Sequence, residues 1–200
     1  MEAKHYYTNN EDLESKPSFY EYTICGKVLR FKSDLGVFSK SGLDYGTHVL
    51  IQTLLKESLQ GVGLDMGCGI GPIGISLLSA FDQVSFDFVD VNDRALRLCS
   101  ENLVGNHVSG KVILSNGFSQ LNRKYSFIVS NPPIRQGKSF LFQLYENAKE
   151  HLLENGILYI VIRKQQGAES SVKKLKTLFE NVDVIEKKSG YWIIKAQLTK

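Results

Sequence analysis

Leu64-Asp65-Met66-Gly67-Cys68-Gly69-Ile70-Gly71-Pro72-Ile73-Gly74 is the stretch on which the fold turns. Its apolar start reads as a strand, its glycines as a tight opening, and Pro72 suits the first position of a helix, where the missing N–H costs nothing. Glycine lets backbone approach a ligand closely, and the free N–H groups of a helix start favour anionic or polar ligand groups. The same strand–helix alternation continues downstream. Apolar strands are expected near residues 62–66, 84–89, 111–115 and 125–130, with helices near 72–80 and 93–103. A helix near 139–153, a strand from Gly156 to Ile162, a helix near 168–180 and strands near 182–187 and 190–197 follow. Alternation of this kind builds a mostly parallel sheet covered on both faces. The short Ser189-Gly190 link makes the closing pair antiparallel. Upstream, Phe19-Tyr20-Glu21-Tyr22-Thr23-Ile24 and Lys27-Val28-Leu29-Arg30-Phe31-Lys32 alternate around Cys25-Gly26, the pattern of a hairpin. Asp44 is placed to cap a helix running to about Leu59. The polar lead from Asn9 to Pro17 reads equally as an ordered arm or a loose tail.

Length and composition give one domain, residues 1–200, divided into an arm and hairpin (1–43) and a core (44–200). Net charge is +3, but it is unevenly spread. Arg135 to Lys200 holds twelve basic and seven acidic residues, whereas Met1 to Ile134 holds twelve and fourteen. A cationic second half favours a polyanionic partner, because Lys and Arg release counterions at phosphates; a solvated face such as Lys173-Lys174-Leu175-Lys176 is the plainer alternative. Three cysteines without Cys-x-x-Cys spacing argue for reduced thiols, and four isolated histidines offer no metal site. Met1-Glu2-Ala3-Lys4-His5 carries no apolar signal segment, and the longest apolar run, Ile157 to Ile162, is far short of the ~20 residues of a membrane helix. The expectation is a soluble, cytoplasmic protein with no membrane and no metal; the oligomeric state is not legible.

Asp90 ends the second strand about twenty residues beyond the glycine loop, the separation that sets a carboxylate on ribose hydroxyls. Gly69, Gly71 and Gly74 also satisfy G-x-G-x-x-G, the dinucleotide fingerprint. Asp65 speaks against a dinucleotide, since a carboxylate beside a pyrophosphate is unfavourable, whereas a ligand with an amino group and a sulfonium tolerates it. The second feature a dehydrogenase leaves unexplained is Asn131-Pro132-Pro133-Ile134, directly behind the apolar run Phe127-Ile128-Val129-Ser130. Two prolines fix φ and remove two donors, so the Asn131 amide and the bare Pro132 carbonyl form a compact acceptor pair suited to a planar –NH2 group. Asn chosen for turn chemistry alone is the plainer reading of that junction.

Asp65-Met66-Gly67-Cys68-Gly69, Asp90 and Asn131-Pro132-Pro133 resemble the class I S-adenosylmethionine-dependent methyltransferases that act on planar amino groups. His5-Tyr6-Tyr7, Gly36-Val37-Phe38-Ser39, Leu43-Asp44-Tyr45-Gly46-Thr47 and Asn131 to Lys138 narrow the resemblance to the small-subunit (16S) ribosomal RNA guanine-N2 methyltransferases. It covers nearly the whole chain and matches the catalytic half of the longer, two-domain members. The resemblance implies a Rossmann-like, doubly wound, mostly parallel seven-stranded sheet with an antiparallel C-terminal strand and an N-terminal β-hairpin. It implies S-adenosylmethionine held by Asp65, Gly67, Cys68, Gly69, Asp90, Val91, Asn116, Gly117 and Asn131. It implies methyl transfer at Asn131, Pro132, Pro133 and Ile134, and ribosomal RNA or the small ribosomal subunit as partner, met by Arg135 and Lys138. Two positions depart from the pattern: Asn116 stands where related enzymes often place Asp, and Ile134 where an aromatic commonly stacks on the target base. Two other functions stay open, a glutamine-N5 methyltransferase acting on a release factor and a non-catalytic cofactor-binding module in RNA or ribosome assembly.

Overall fold

A computed structural model describes residues 14–38, 42–133 and 136–199. The expectations placed on His5-Tyr6-Tyr7, Ser39, Ile134 and Arg135 lie outside the described residues. The chain opens with the expected hairpin, β1 (Ser18–Ile24) and β2 (Lys27–Ser33), followed by α1 (Tyr45–Leu54). Alternation then runs β3 (Gly61–Met66), α2 (Pro72–Ala80), β4 (Val84–Asp90), α3 (Asp93–Gly105), β5 (Lys111–Leu114), β6 (Tyr125–Ser130) and α4 (Gly137–Glu150). It closes with β7 (Leu152–Arg163), a 3₁₀ turn at Lys164–Gln166, α5 (Ala168–Leu175), β8 (Asn181–Lys188) and β9 (Tyr191–Gln197).

The seven-stranded sheet has the order β5-β4-β3-β6-β7-β9-β8. Every neighbouring pair is parallel except those made by β9, which runs antiparallel to both β7 and β8. From β3 the chain builds outward to β5 on one side and then returns to lay β6 on the other. That reversal opens a crevice beyond the carboxyl ends of β3 and β6, where ligands of such sheets bind. The glycine loop leaves one strand there and Asn131-Pro132-Pro133 leaves the other. The Ser130 hydroxyl, donating to the Met66 carbonyl at 2.8 Å, ties the two strand ends together.

Two apolar layers cover the sheet. One includes Leu50, Leu54, Ile75, Leu77, Leu98 and Cys99 from α1–α3 and takes in Leu29 and Phe31 of the hairpin. The other includes Leu144, Tyr145 and Leu175 of α4 and α5 with Ile128, Ile160 and Ile194 of the sheet. The hairpin is held by α3 as well as by packing. Asn102 and Asn106, one turn apart, each present an amide to the β2 edge, so that Lys32 and Arg30 find N–H and C=O partners there as if in a ladder.

Three helices end earlier than the sequence suggests. Capping by Asp44 holds, with its Oδ2 accepting from Thr47 N at 3.0 Å, but α1 stops at Leu54 instead of Leu59. Tighter turns take over there, Lys56 N to Thr53 O and Glu57 N to Leu54 O, and Glu57 turns to receive Tyr159 and Lys195. Helix α4 stops at Glu150 because Leu152 already pairs with Tyr125 of β6. The ladder then shifts register between Tyr125 and Phe127, and Asn155, at φ 60°, lies in the part of β7 that the shift leaves over. Helix α5 ends at Leu175, not near 180, as the chain tightens through Leu178 N to Leu175 O.

Candidate active site

The crevice is an open cleft of about 1230 Å³ at the carboxyl ends of the parallel strands. Gly67, Cys68 and Gly69 form its floor beside Asp90 and Val91, and Asn116 and Gly117 close one end. Asn131, Pro132 and Pro133 form the opposite wall. Residues scattered over more than sixty positions of sequence are thus brought into one cavity by the switch in strand order.

The glycine loop is shaped for a ligand, not for packing. Gly67 and Gly69 have φ of 71° and 55°, and a Cβ built on either would meet nothing within 4 Å. Gly74 is the opposite case: its Cβ would lie 2.4 Å from the Phe88 ring, so its glycine serves close approach of α2 to the sheet. Asp90 holds the loop from the side. Its Oδ2 accepts from Gly69 N at 2.8 Å and its Oδ1 from Asn92 N at 2.9 Å. Each oxygen keeps a further lone pair for a hydroxyl. Burial raises the Asp90 pKa against the lowering effect of those backbone donors.

Asp65 is not part of the cleft wall. It is fully buried behind the loop, with Oδ2 accepting from Gly74 N at 2.9 Å and Oδ1 without a hydrogen-bond partner among the described residues. Register explains this: Asp65 faces α2, the side of the sheet opposite to its neighbours Leu64 and Met66. Burial first, and the nearby Asp90 charge in addition, push its pKa to about 7 despite the Gly74 bond. Its role is that of a brace beneath the loop, with a carboxylate whose ionisation a cation above would favour. Cys68 is buried and its thiol pKa is pushed well up, first by burial, so it acts as a small loop residue and not as a nucleophile.

S-adenosylmethionine fits these features. The two bare glycines provide room against backbone, Asp90 and the exposed Val91 offer acceptor and apolar edge, and Asp65 behind the loop is a carboxyl whose ionised form a positively charged ligand would favour. Among the described residues, no group of three His, Cys, Asp or Glu side chains could hold a metal ion.

The Asn131 side chain is oriented by contacts that span the sequence. Its Nδ2 donates to Asp44 Oδ2 at 3.0 Å and to Thr47 Oγ1 at 2.9 Å. A carboxylate accepts and never donates, so this arrangement settles which end of the amide faces α1 and leaves Asn131 Oδ1 for the cleft. The Pro133 carbonyl is used by Gln136 N at 3.2 Å, whereas that of Pro132 has no hydrogen-bond partner among the described residues. The Asn131 Oδ1 and the Pro132 carbonyl are thus the two acceptors left over at this wall. Lys138 is exposed in the first turn of α4 and stands outside the cleft wall.

Several cleft residues escape the sequence reading. Asp44 reads there as a cap alone and Thr47 has no role, although both fall in the Leu43-Asp44-Tyr45-Gly46-Thr47 stretch. Phe140 and Gln143 reach in from α4, and Arg163 and Tyr191 from the ends of β7 and β9. Their common signal is position around the carboxyl ends of the parallel strands, which becomes visible once the strand order is known.

Comparison with known proteins places these features among relatives. Residues 28–195 match the family described as Methyltransferase small domain. The chain is 41% identical over 198 residues to the Bacillus subtilis protein YbxB, covering 98% of each. It is 35% identical over 148 residues to the ribosomal RNA small subunit methyltransferase C of Shewanella piezotolerans, covering 72% of this chain and 41% of that protein, so it spans less than half of that relative's length. A T. thermophilus 16S rRNA N2 G1207 methyltransferase, solved in complex with AdoMet and guanosine, superposes with a TM-score of 0.83 at 20% identity, over 93% of this chain and 52% of the other.

Proposed function

Since this chain belongs to the methyltransferase small domain family, whose cofactor is S-adenosylmethionine, we propose that it transfers the cofactor's methyl group to the exocyclic N2 amino group of a guanine in small-subunit ribosomal RNA. The observation that carries the proposal is the fixed amide of Asn131 beside a Pro132 carbonyl that has no hydrogen-bond partner among the described residues. When bound, the cofactor supplies an electrophilic methyl on a sulfonium, so the protein needs no strong base. Gly67, Gly69, Asp90, Val91, Asn116 and Gly117 hold it, and Asp65 supports the loop from below.

The nucleophile is an amine whose lone pair is delocalised into the purine ring. Asn131 Oδ1 and the Pro132 carbonyl accept its two hydrogens, favour the pyramidal form and stabilise positive charge developing on nitrogen. Placement of that nitrogen in line with the methyl supplies the rest, as a proximity effect. Flat contact with the base comes from aromatic rings in the cleft wall, Phe38 and Phe140 among them, in place of an aromatic at residue 134. A paired base must first leave its stack or be presented in a loop. Such a substrate carries with it a cytoplasmic location. Among the described residues, no helix is long and apolar enough to cross a membrane.

The test is to incubate the protein and radiolabelled cofactor with naked ribosomal RNA, with isolated small subunits and with release factor, and to map the label. Label on a guanine N2 of small-subunit RNA is the expected result. Label on a release-factor glutamine would make the chain a glutamine-N5 methyltransferase, and binding of cofactor with no transfer to any of the three would make it a non-catalytic module.

A further inference from the structure

The mouth of the cleft on the α1 side carries a group of cations and rings that methyl transfer itself does not use. Arg163, at the end of β7, is the ladder partner of Tyr191 at the start of β9. Its Nε donates to the Tyr191 hydroxyl at 2.7 Å, and its guanidinium carbon lies 4.8 Å from the centre of that ring. Tyr191 is buried while Arg163 is exposed, and both line the cleft. One face and one N–H of the guanidinium are thus committed. Its two terminal nitrogens have no partner among the described residues.

Two exposed lysines flank it. The Lys164 N–H donates to Gly190 O at 2.8 Å, fixing the 3₁₀ turn against the β8–β9 turn, and Lys188 is the ladder partner of Tyr191. Lys188 lies close enough to His48 that, after burial, its charge helps hold that imidazole below its usual pKa. Tyr45 opens α1 beside them, 42% exposed, with its ring centre 5.8 Å from that of Tyr191 and its hydroxyl 3.2 Å from Ser189 Oγ. The acidic groups nearby are already engaged. Asp44 Oδ2 receives Asn131 and Thr47, and Glu186 pairs with Lys56 at 3.5 Å.

We propose that Tyr45, Arg163, Lys164 and Lys188 form the docking surface for single-stranded RNA next to the target nucleotide. Arg163 and the lysines take phosphates, and Tyr45 gives a stacking face to a neighbouring base. A guanidinium held by a ring beneath it presents a planar fork matched to phosphate oxygens, and an exposed ring between cations is how proteins track single strands. The patch lies on the same face of the sheet as α1, which orients Asn131, so a strand lying on it enters the cleft at the acceptor pair. The lysines of α5 make a poorer candidate, since Lys174 is occupied by Glu146 at 2.5 Å and by the Phe142 ring. The proposal rests on RNA being the substrate.

The experiment measures anisotropy of a fluorescent single-stranded ribosomal RNA oligonucleotide as salt is raised between about 50 and 200 mM, for wild type, the double variant Arg163→Ala/Lys188→Ala, Tyr45→Ala, and Lys173→Ala/Lys176→Ala on α5 and its C-terminal cap. The cationic double variant should bind at least tenfold more weakly, with a salt slope smaller by roughly 1.4, about 0.7 for each phosphate no longer neutralised. Tyr45→Ala should weaken binding with the slope retained, and the α5 pair should match wild type. Cofactor affinity by calorimetry should be equal in all four. Wild-type RNA affinity and slope in the cationic double variant, or an equal loss in the α5 pair, overturns the surface. If wild type methylates RNA while the double variant binds and turns over normally, the surface falls and the reaction stands. If RNA binding depends on Arg163 but no RNA accepts methyl, the reaction falls and the surface stands.

Discussion

An amide is nearly symmetric in shape, so in the proposed reaction Asn131 needs something to decide which of its ends faces the cleft. The decision is made 87 residues upstream, where Asp44 and Thr47 take both hydrogens of Nδ2. Thr47→Val keeps the side-chain volume and removes that acceptor. Its kcat should fall about tenfold, while Asn131→Ala should lose on the order of 10²–10³ in kcat, the range for deleting a preorganised electrostatic partner. Cofactor affinity should hold in both; equal loss of turnover and cofactor binding would mark the turn as merely structural. Asp44→Ala should behave like Thr47→Val, and Asp44→Asn, which still offers an oxygen, should restore most of the turnover. The proposed acceptor pair was legible in Asn131-Pro132-Pro133, because prolines advertise their missing donors. The orienting pair was not, since a hydrogen bond across 87 positions leaves only a capping residue to see. Asp65 makes a second residue-scale case. Its unfolded pKa lies near 3.8 and its folded pKa at about 7, so between those values the folded chain retains a proton that the unfolded chain releases. The stability tied to this proton is fully present below about pH 4 and is lost as pH rises through about 7. Asp65→Asn cannot ionise, so the difference in Tm between the variant and wild type should shift in the variant's favour from pH 4 to 7 and level off above; a difference independent of pH would refute the buried, unpaired carboxylate.

Helix α2 illustrates what an element must satisfy at once. Its first turn receives the Asp65 brace through Gly74 N, and its axis lies close to β4 because Gly74 has no side chain. In Gly74→Ala the new Cβ would stand 2.4 Å from Phe88 Cε1 and 3.2 Å from Asp65 Oδ2. Alanine gains up to about 1 kcal/mol of helix propensity, but overpacking against the ring costs about 1–3 kcal/mol, so the variant should be destabilised in urea unfolding. Moving α2 outward also shifts the loop above Asp65, and calorimetry should show weaker cofactor binding. A Gly74→Ala protein as stable as wild type would mean that Phe88 swings aside freely. Element order was readable because strand and helix periods alternate so regularly from Gly61 onward. Element ends were not, because tertiary partners fix them. Glu57 leaves the helical path for Tyr159 and Lys195, and Leu152 pairs with Tyr125 before a helix could use it.

At the scale of the molecule, the question is whether the hairpin is an appendage or part of the domain. Asn102 answers through three bonds: its Oδ1 accepts from Lys32 N at 2.8 Å, and its Nδ2 donates to Lys32 O at 3.1 Å and to Ile70 O at 3.0 Å. One buried amide thus joins the hairpin edge, α3 and the cofactor loop. Asn92 repeats the logic nearer the site, capping α3 while donating to Gly36 O at 3.0 Å. Neither link could be read from the sequence of α3 and its caps, where an Asn suits a cap or a solvated face. The expectation is that residues 14–199 fold as one cooperative unit. In wild type, fluorescence of Trp192, the single tryptophan, and exchange of the β1–β2 amides should then report the same unfolding free energy. Asn102→Ala strips partners from two β2 groups and from Ile70 O, at a cost of roughly 2–4 kcal/mol for the three hydrogen bonds together. Hairpin amides in the variant should exchange through a local opening of lower free energy than the Trp192 transition, and cofactor affinity should drop as the loop loosens. Hairpin amides that already exchange below the Trp192 transition in wild type would show that the hairpin folds apart from the catalytic core.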